Sequence, residues 1–186
     1  MGLKSKIRKF VRMGGVTKDE LLRLWIEQGA SIGENFSFHD GYPIDGNWPW
    51  LITIGNNVTL ATDVKLLAHD ASTAKVDGVR TKVGIVSIGN NVFIGANTVV
   101  LCNTRIGDNV IVGANSVVSK DLPSNGVYAG NPAKYICSFE EYSEKHQSNQ
   151  KDHPIFREHR WYEWPNASID EKQEMRERLK DTFGYM

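Results

Sequence analysis

The chain has 186 residues, enough for one domain with a sizeable core or a domain with a terminal appendage, and its 22 basic and 22 acidic side chains cancel. That balance excludes a global electrostatic pull toward nucleic acid or an anionic membrane, and no apolar run approaches the roughly 20 residues that span a bilayer. Two cysteines, Cys102 and Cys137, follow no metal-ligand or redox spacing, so the expected setting is reducing and cytoplasmic.

The N-terminal stretch "MGLKSKIRKFVRMGG" is basic but lacks the apolar run and cleavage site of a signal peptide. Thr17 to Glu20 then matches a capping box, which predicts a helix stopped at Gly29 and an N-terminal helical segment over 1–31. From Ile32 a period of six takes over, with aliphatic or aromatic residues at Ile32, Phe38 and Ile44, at Ile54, Leu60 and Leu66, at Ile88, Ile94 and Val100, and at Ile106, Val112 and Val118. An α-helix with 3.6 residues per turn would carry such positions around its cylinder, whereas a short strand plus a tight turn brings every sixth residue back to one side. The prediction for 32–137 is an all-β parallel β-helix with three hexapeptides per coil, its coils beginning at Ile32, Ile54, Ile88 and Ile106. Each inward side chain should stack on its equivalent about 4.8 Å along the axis. The "GNN", "GAN" and "GDN" triplets are read as corners, where Gly and Asn both tolerate left-handed backbone angles.

Two insertions break the period, a short one within "GNWPWLIT" and a long one giving a projecting loop at 71–87. Loops carried by a rigid scaffold are where binding concentrates. Beyond the repeat, Ser138 to Glu141 and Ser168 to Glu171 predict helices in a C-terminal extension over 138–186, with Gly184 as a stop. The terminal helices are expected to cap the open ends of the solenoid, with Trp161, Tyr162 and Trp164 packing there.

His69 stands out as the fourth residue of the last hexapeptide of coil two, immediately before the long insertion. Its equivalents in the neighbouring coils are Asn47 and Asn103, so a polar column of these three side chains is expected. A neutral imidazole, with an ordinary pKa of about 6.5, is suited to taking a proton near neutrality. Asp70 follows it but should point to the opposite face of the strand. The tautomer is therefore assigned to a backbone carbonyl or to Asp77, the acidic residue of the long loop.

The segment "IGNNVFIGANTVVLCNTRIGDNVIVGANSVVSKDLPSNGVYAGNPAKYI" resembles the hexapeptide-repeat acyltransferases, whose fold is a left-handed parallel β-helix. Within that family, residues 32–137 look like the sugar O-acetyltransferases of the maltose, galactoside, nodulation and capsular-polysaccharide type, and the ending "VVSKDLP...AGNPAK" is typical of acetyl-CoA users. The resemblance implies direct transfer of an acetyl group from acetyl-CoA to a hydroxyl of a sugar, nucleotide sugar or glycan precursor, with His69 as general base. It implies cofactor contacts at Ala96 and Ala114, at Ser119 and Lys120, and at Lys134 toward the phosphates, in a homotrimer with active sites between subunits.

This chain departs from the pattern on the acceptor side, with "HD" in place of the usual "HP" and Phe93 in place of a frequent Trp. His39 and Asn47 occupy positions of an Asn and an acidic sugar contact, so His39, Asp40 and Asn47 are the acceptor-side candidates, joined by Arg80 and Lys82 for an acidic acceptor. A metal hydratase on the same scaffold needs three convergent histidines. Only His39 and His69 fall within the coils, on different predicted faces, so no metal site is assigned. The other readings are a sugar N-acetyltransferase, a xenobiotic acetyltransferase, to whose "WWxWP" tail "RWYEWPNASI" is similar, and a non-catalytic scaffold.

Overall fold

The computed structural model describes residues 17–39, 41–157 and 163–186, which fall into two compact units divided between Phe139 and Glu140. In the first unit the period of six becomes three parallel ladders. The first ladder joins β1 (Ser31–Ile32), β3 (Ile52–Ile54), β8 (Val86–Ile88) and β11 (Thr104–Ile106), with Ile32, Ile54, Ile88 and Ile106 in register. The second joins β2 (Ser37–Phe38), β4 (Val58–Leu60), β9 (Val92–Ile94), β12 (Val110–Val112) and β14 (Gly126–Ala129), with β15 (Lys134–Ser138) pairing antiparallel at its edge. The third joins β5 (Lys65–Leu66), β10 (Val99–Val100) and β13 (Val117–Val118), and Ile44 bridges to Leu66 below them.

Each inward residue of one coil thus lies on its equivalent in the next, and the stack is the core: Ile54, Leu60, Leu66, Ile88, Ile94, Val100, Ile106, Val112 and Val118 are all buried. Full burial of such a side chain contributes roughly 1.5–3 kcal/mol. The coil starts at Ile32, Ile54, Ile88 and Ile106 coincide with the sequence reading.

The corners correct that reading in one respect. Asn35, Asn57, Asn91, Asn97, Asn103, Asn109 and Asn115, with Asp63, take the left-handed conformation at φ between 54° and 63°. The corner glycines serve a different need: a Cβ on Gly89 would come 2.8 Å from the Gly107 carbonyl carbon, and one on Gly95 would come 2.5 Å from the Ala114 nitrogen. Asparagine turns the chain, and glycine lets successive turns approach. The asparagines also bond along the axis, Asn91 Nδ2 donating to Asn109 Oδ1 and Asn109 Nδ2 to Asn125 Oδ1, each at 2.8 Å.

Helix α1 (Lys18–Glu27) opens with the predicted capping box, and the hydrogen bonds from Thr17 hold the Glu20 carboxyl below its ordinary pKa. Its buried Leu21 and Trp25 join the core, the Trp25 ring lying 5.2 Å from Phe38. The chain leaves it through Gly29 at φ 98°, as the sequence predicts.

The second unit holds α2 (Phe139–Asp152) from its second residue on, a 3-10 turn at Trp164–Asn166 and α3 (Ile169–Arg178), which also carries its predicted capping box. Its buried Phe156 lies under the Arg178 guanidinium at 4.6 Å, and His153 stacks on Phe183 at 4.0 Å. Gly184 does not stop α3, which ends at Arg178 with Leu179 as its C-cap. It is glycine for space, since a Cβ there would meet the Phe156 ring and the Pro154 carbonyl at 2.8 Å. Trp161 and Tyr162 lie outside the described residues. Among the described residues no helix is long and apolar enough to cross a membrane.

Candidate active site

The corner between the third and first ladders changes length from coil to coil. It runs from Ile44 to Ile52 after coil one, from Leu66 to Val86 after coil two, and from Val100 to Thr104 after coil three. The chemistry-bearing side chains gather on the two longer spans.

Pro43, just before the first span, and Pro49 within it are buried, and Pro49 opens a 3-10 turn, Pro49–Leu51. Asp45 between them is only 7% exposed. Its Oδ1 accepts from the Asn47 backbone N–H at 3.0 Å, and its Oδ2 accepts from the Ala68 N–H at 3.1 Å and from Nδ1 of His69 in the coil above. A carboxylate only accepts, so this bond places the imidazole proton on Nδ1 and leaves Nε2 as a lone pair. Among the described residues none bonds Nε2. The His69 side chain is 25% exposed. One flank of its ring is covered by Trp48, whose ring centroid lies 4.4 Å away at an interplanar angle of 44°.

The second span leaves directly from His69. β6 (His69–Asp70) pairs antiparallel with β7 (Lys82–Val83), so the loop closes beside the histidine. Asp70 turns away and caps a 3-10 turn at Ala71–Lys75. Hydrogen bonds from the Ser72 hydroxyl and then the Ser72 N–H, the latter at 2.9 Å, hold its carboxyl below the ordinary value. Thr73 Oγ1 ties the loop across, donating to the Arg80 carbonyl at 2.8 Å and accepting from the Lys82 N–H at 2.9 Å.

Two expectations are corrected here. The group on Nδ1 is Asp45, not a backbone carbonyl or Asp77. The polar column is broken on its upper side, because Gly84 at the close of the loop sits on Asn103, where an added Cβ would come 2.8 Å from the Asn103 nitrogen. Asn47 lies below, its N–H on the same Asp45.

Asp45 and Trp48 were missed as site residues. Their signal was "PIDGNWPW", an acid directly before the short insertion and an aromatic inside it, one coil before the histidine. Nothing in a period of six says that such a carboxylate folds inward.

The remaining candidates divide between two edges. His39, Ala96 and Ala114 follow the second ladder: the His39 N–H donates to the Leu60 carbonyl at 3.0 Å, and the Asn115 N–H donates to the Ala96 carbonyl at 2.8 Å. Lys134 continues that edge, paired with Ala129. Ser119 and Lys120 follow the third ladder, two coils beyond His69 on its own edge. His39, Ala114, Ser119, Lys120, Lys134 and Arg80 are exposed and Ala96 is half-buried, while Asp40 lies outside the described residues. His39 and His69 occupy different edges, and no group of three metal-ligating side chains occurs among the described residues.

Comparison with known proteins agrees with this scaffold. The family model described as bacterial transferase hexapeptide (six repeats) matches residues 85–120. Protein CapG of Staphylococcus aureus is 47% identical over 107 residues, covering 54% of this chain and 60% of that protein. Galactoside O-acetyltransferase of Escherichia coli K12 is 32% identical over 120 residues, covering 60% and 59%. The chain thus spans about three fifths of the length of these curated relatives. Among solved structures, a maltose O-acetyltransferase from Clostridium difficile 630 superposes with a TM-score of 0.57 at 25% identity, covering 72% of this chain and 84% of that one. With its repeat and its three stacked ladders, the chain carries the bacterial transferase hexapeptide over residues 85–120 and is similar in that scaffold to these proteins.

Proposed function

We propose that the protein is an acetyl-CoA-dependent O-acetyltransferase whose acceptor is a hydroxyl of a sugar or glycan precursor, with His69 as the general base. What supports this most is the buried Asp45 carboxylate on Nδ1, which presents the Nε2 lone pair at the foot of the largest loop on a hexapeptide scaffold. Nε2 takes the hydroxyl proton as that oxygen attacks the thioester carbonyl; the C–S bond then breaks and the leaving thiolate takes the proton from the imidazolium. No covalent enzyme intermediate is needed, because holding acceptor and donor in contact supplies much of the rate.

His39, Asp40, Asn47 and Arg80 are the acceptor-side residues of this reading. The small side chains of Ala96 and Ala114 leave the backbone of their edge open to a slender pantetheine arm, and Ser119, Lys120 and Lys134 offer hydrogen bonds and charge to phosphates. Within one chain the third face separates that edge from His69, and its outward Leu67, Val99, Leu101 and Val117 are only half-buried. A homotrimer of left-handed β-helices, each laying one edge against the other edge of its neighbour, would bring base and donor together and cover these aliphatics. We place the enzyme in the cytoplasm, in keeping with its two free thiols.

The test is thiol release from acetyl-CoA by wild type and His69→Ala, across saccharides, amino sugars, nucleotide sugars and streptogramin or chloramphenicol antibiotics. Saccharides should stimulate release, and His69→Ala should lose roughly 10²- to 10⁴-fold with coenzyme A binding intact. Stimulation by an antibiotic alone would replace the acceptor class. Release without any acceptor dependence, and no coenzyme A binding, would leave a scaffold.

A further inference from the structure

Trp48 is held against His69 by a built corner, not by chance contact. It is the residue from which the 3-10 turn Pro49–Leu51 starts, with buried Pro49 next to it, and it packs partly against the core while its ring faces the imidazole at 4.4 Å. The one span between Ile44 and Ile52 therefore delivers two different groups to one histidine, the Asp45 carboxylate at Nδ1 and an indole tilted at 44° against the ring. The face of an indole carries the negative lobe of its quadrupole, and a cation within about 6 Å of its centroid is attracted. A neutral imidazole gains little from this; an imidazolium gains the full interaction.

We propose that Trp48 is a positioning residue for His69, its indole stabilising the imidazolium that exists while the acceptor's proton rests on Nε2. The proposal rests on the assignment of His69 as the base. In the reaction written above, the proton passes from the acceptor hydroxyl to Nε2 and on to the leaving thiolate, so the imidazolium is present only between the two transfers. An interaction made with that cation and not with the resting ring lowers the barrier without tightening ground-state binding. Among the described residues, the charged groups that face His69 are Asp45 on Nδ1, Asp70 beside it and Lys82 across the β6–β7 pair, the last two 3.9 Å apart. All three are unchanged by a substitution at Trp48, so a response of the histidine reports on the indole.

The experiment is an NMR titration of the His69 imidazole, alongside steady-state kinetics, in wild type, Trp48→Leu and Trp48→Phe. Loss of the π-face in Trp48→Leu should raise the acid dissociation constant of His69 roughly two- to thirty-fold and lower kcat by a similar factor, with the KM for acetyl-CoA unmoved. Trp48→Phe should recover most of both. Where Trp48→Leu does not fold, biosynthetic replacement of the five tryptophans by 5-fluorotryptophan keeps the shape and weakens the ring face. His69 should then titrate at lower pH than in the unlabelled protein. An unmoved titration in Trp48→Leu or in the fluorinated protein overturns the proposal, as does a Phe variant that behaves like Leu. The titration needs no acceptor, so it separates failure of this contact from failure of the transferase reading, which falls on the thiol-release assay alone.

Discussion

The corners on either side of the first ladder follow opposite plans. On the side toward the second ladder, the spans from Ile54 to Leu60, Ile88 to Ile94 and Ile106 to Val112 have one length and one chemistry, Gly followed by Asn or Asp and then Asn. Their polar atoms are consumed along the axis, the Asn56 N–H on Asn90 Oδ1 at 2.9 Å and the Asn90 N–H on Asp108 Oδ1 at 2.6 Å. On the side toward the third ladder no two successive spans match, and the carboxylate of one coil meets a side chain of the next instead of another corner residue in register, as Asp45 meets His69. A uniform corner spends its hydrogen bonds on registering the coils. An irregular one is free to aim them at a reacting group.

Asp45→Asn sharpens the contrast most. With its oxygen kept on the Asn47 N–H, the amide turns an NH2 toward Nδ1 and drives the imidazole proton to Nε2, so thiol release should fall roughly 10²- to 10⁴-fold with a much smaller loss of stability. Equal losses of activity and stability would make Asp45 a structural acid and dissolve the distinction between the corners. On the uniform side, Gly89→Ala should cost about 1–3 kcal/mol in denaturant unfolding, because the added methyl meets the backbone of the next coil. Thiol release per folded molecule should stay the same. A neutral result would mean the coils can part locally, and that the regular corner is looser than its spacing suggests.

The smallest effect separates the loop from the histidine it springs from. Asp70 is more acidic in the fold than in the open chain, so its contribution is complete above the ordinary aspartate value of about 3.9 and is lost as pH falls through the lower folded value. Amide exchange at Ser72 should therefore stay slow through the neutral range and quicken only in the acidic range. Quickening near neutrality would mean that a group other than Asp70 holds the loop.

These corners also mark where the sequence could be read. One inward aliphatic per six residues is a strong signal because any slip would expose the whole column, so Ile54, Ile88 and Ile106 gave the register directly. The site was half legible. His69 is visible because it interrupts an otherwise regular set, but Asp45 follows inward Ile44 and by strand alternation should face outward. Its burial goes with the turn at Gly46 and Asn47 and with bonds from the Asn47 and Ala68 N–H groups, the second of them on the next coil, which no local pattern encodes. The glycines show the converse failure: their spacing was plain, yet their reason, contact with a neighbouring coil, could be seen only in three dimensions.

The pairing of His69 with Val83 has a consequence for how such a protein can change. Because the loop leaves and returns through two adjacent strands, everything between them hangs from a closed neck, and the solenoid does not register its length. Doubling a flexible loop adds only about 0.6 kcal/mol of closure entropy. Descendants of this chain could thus exchange the whole segment, and with it whatever it recognises, while the histidine below keeps its place: a fixed tool with an interchangeable handle.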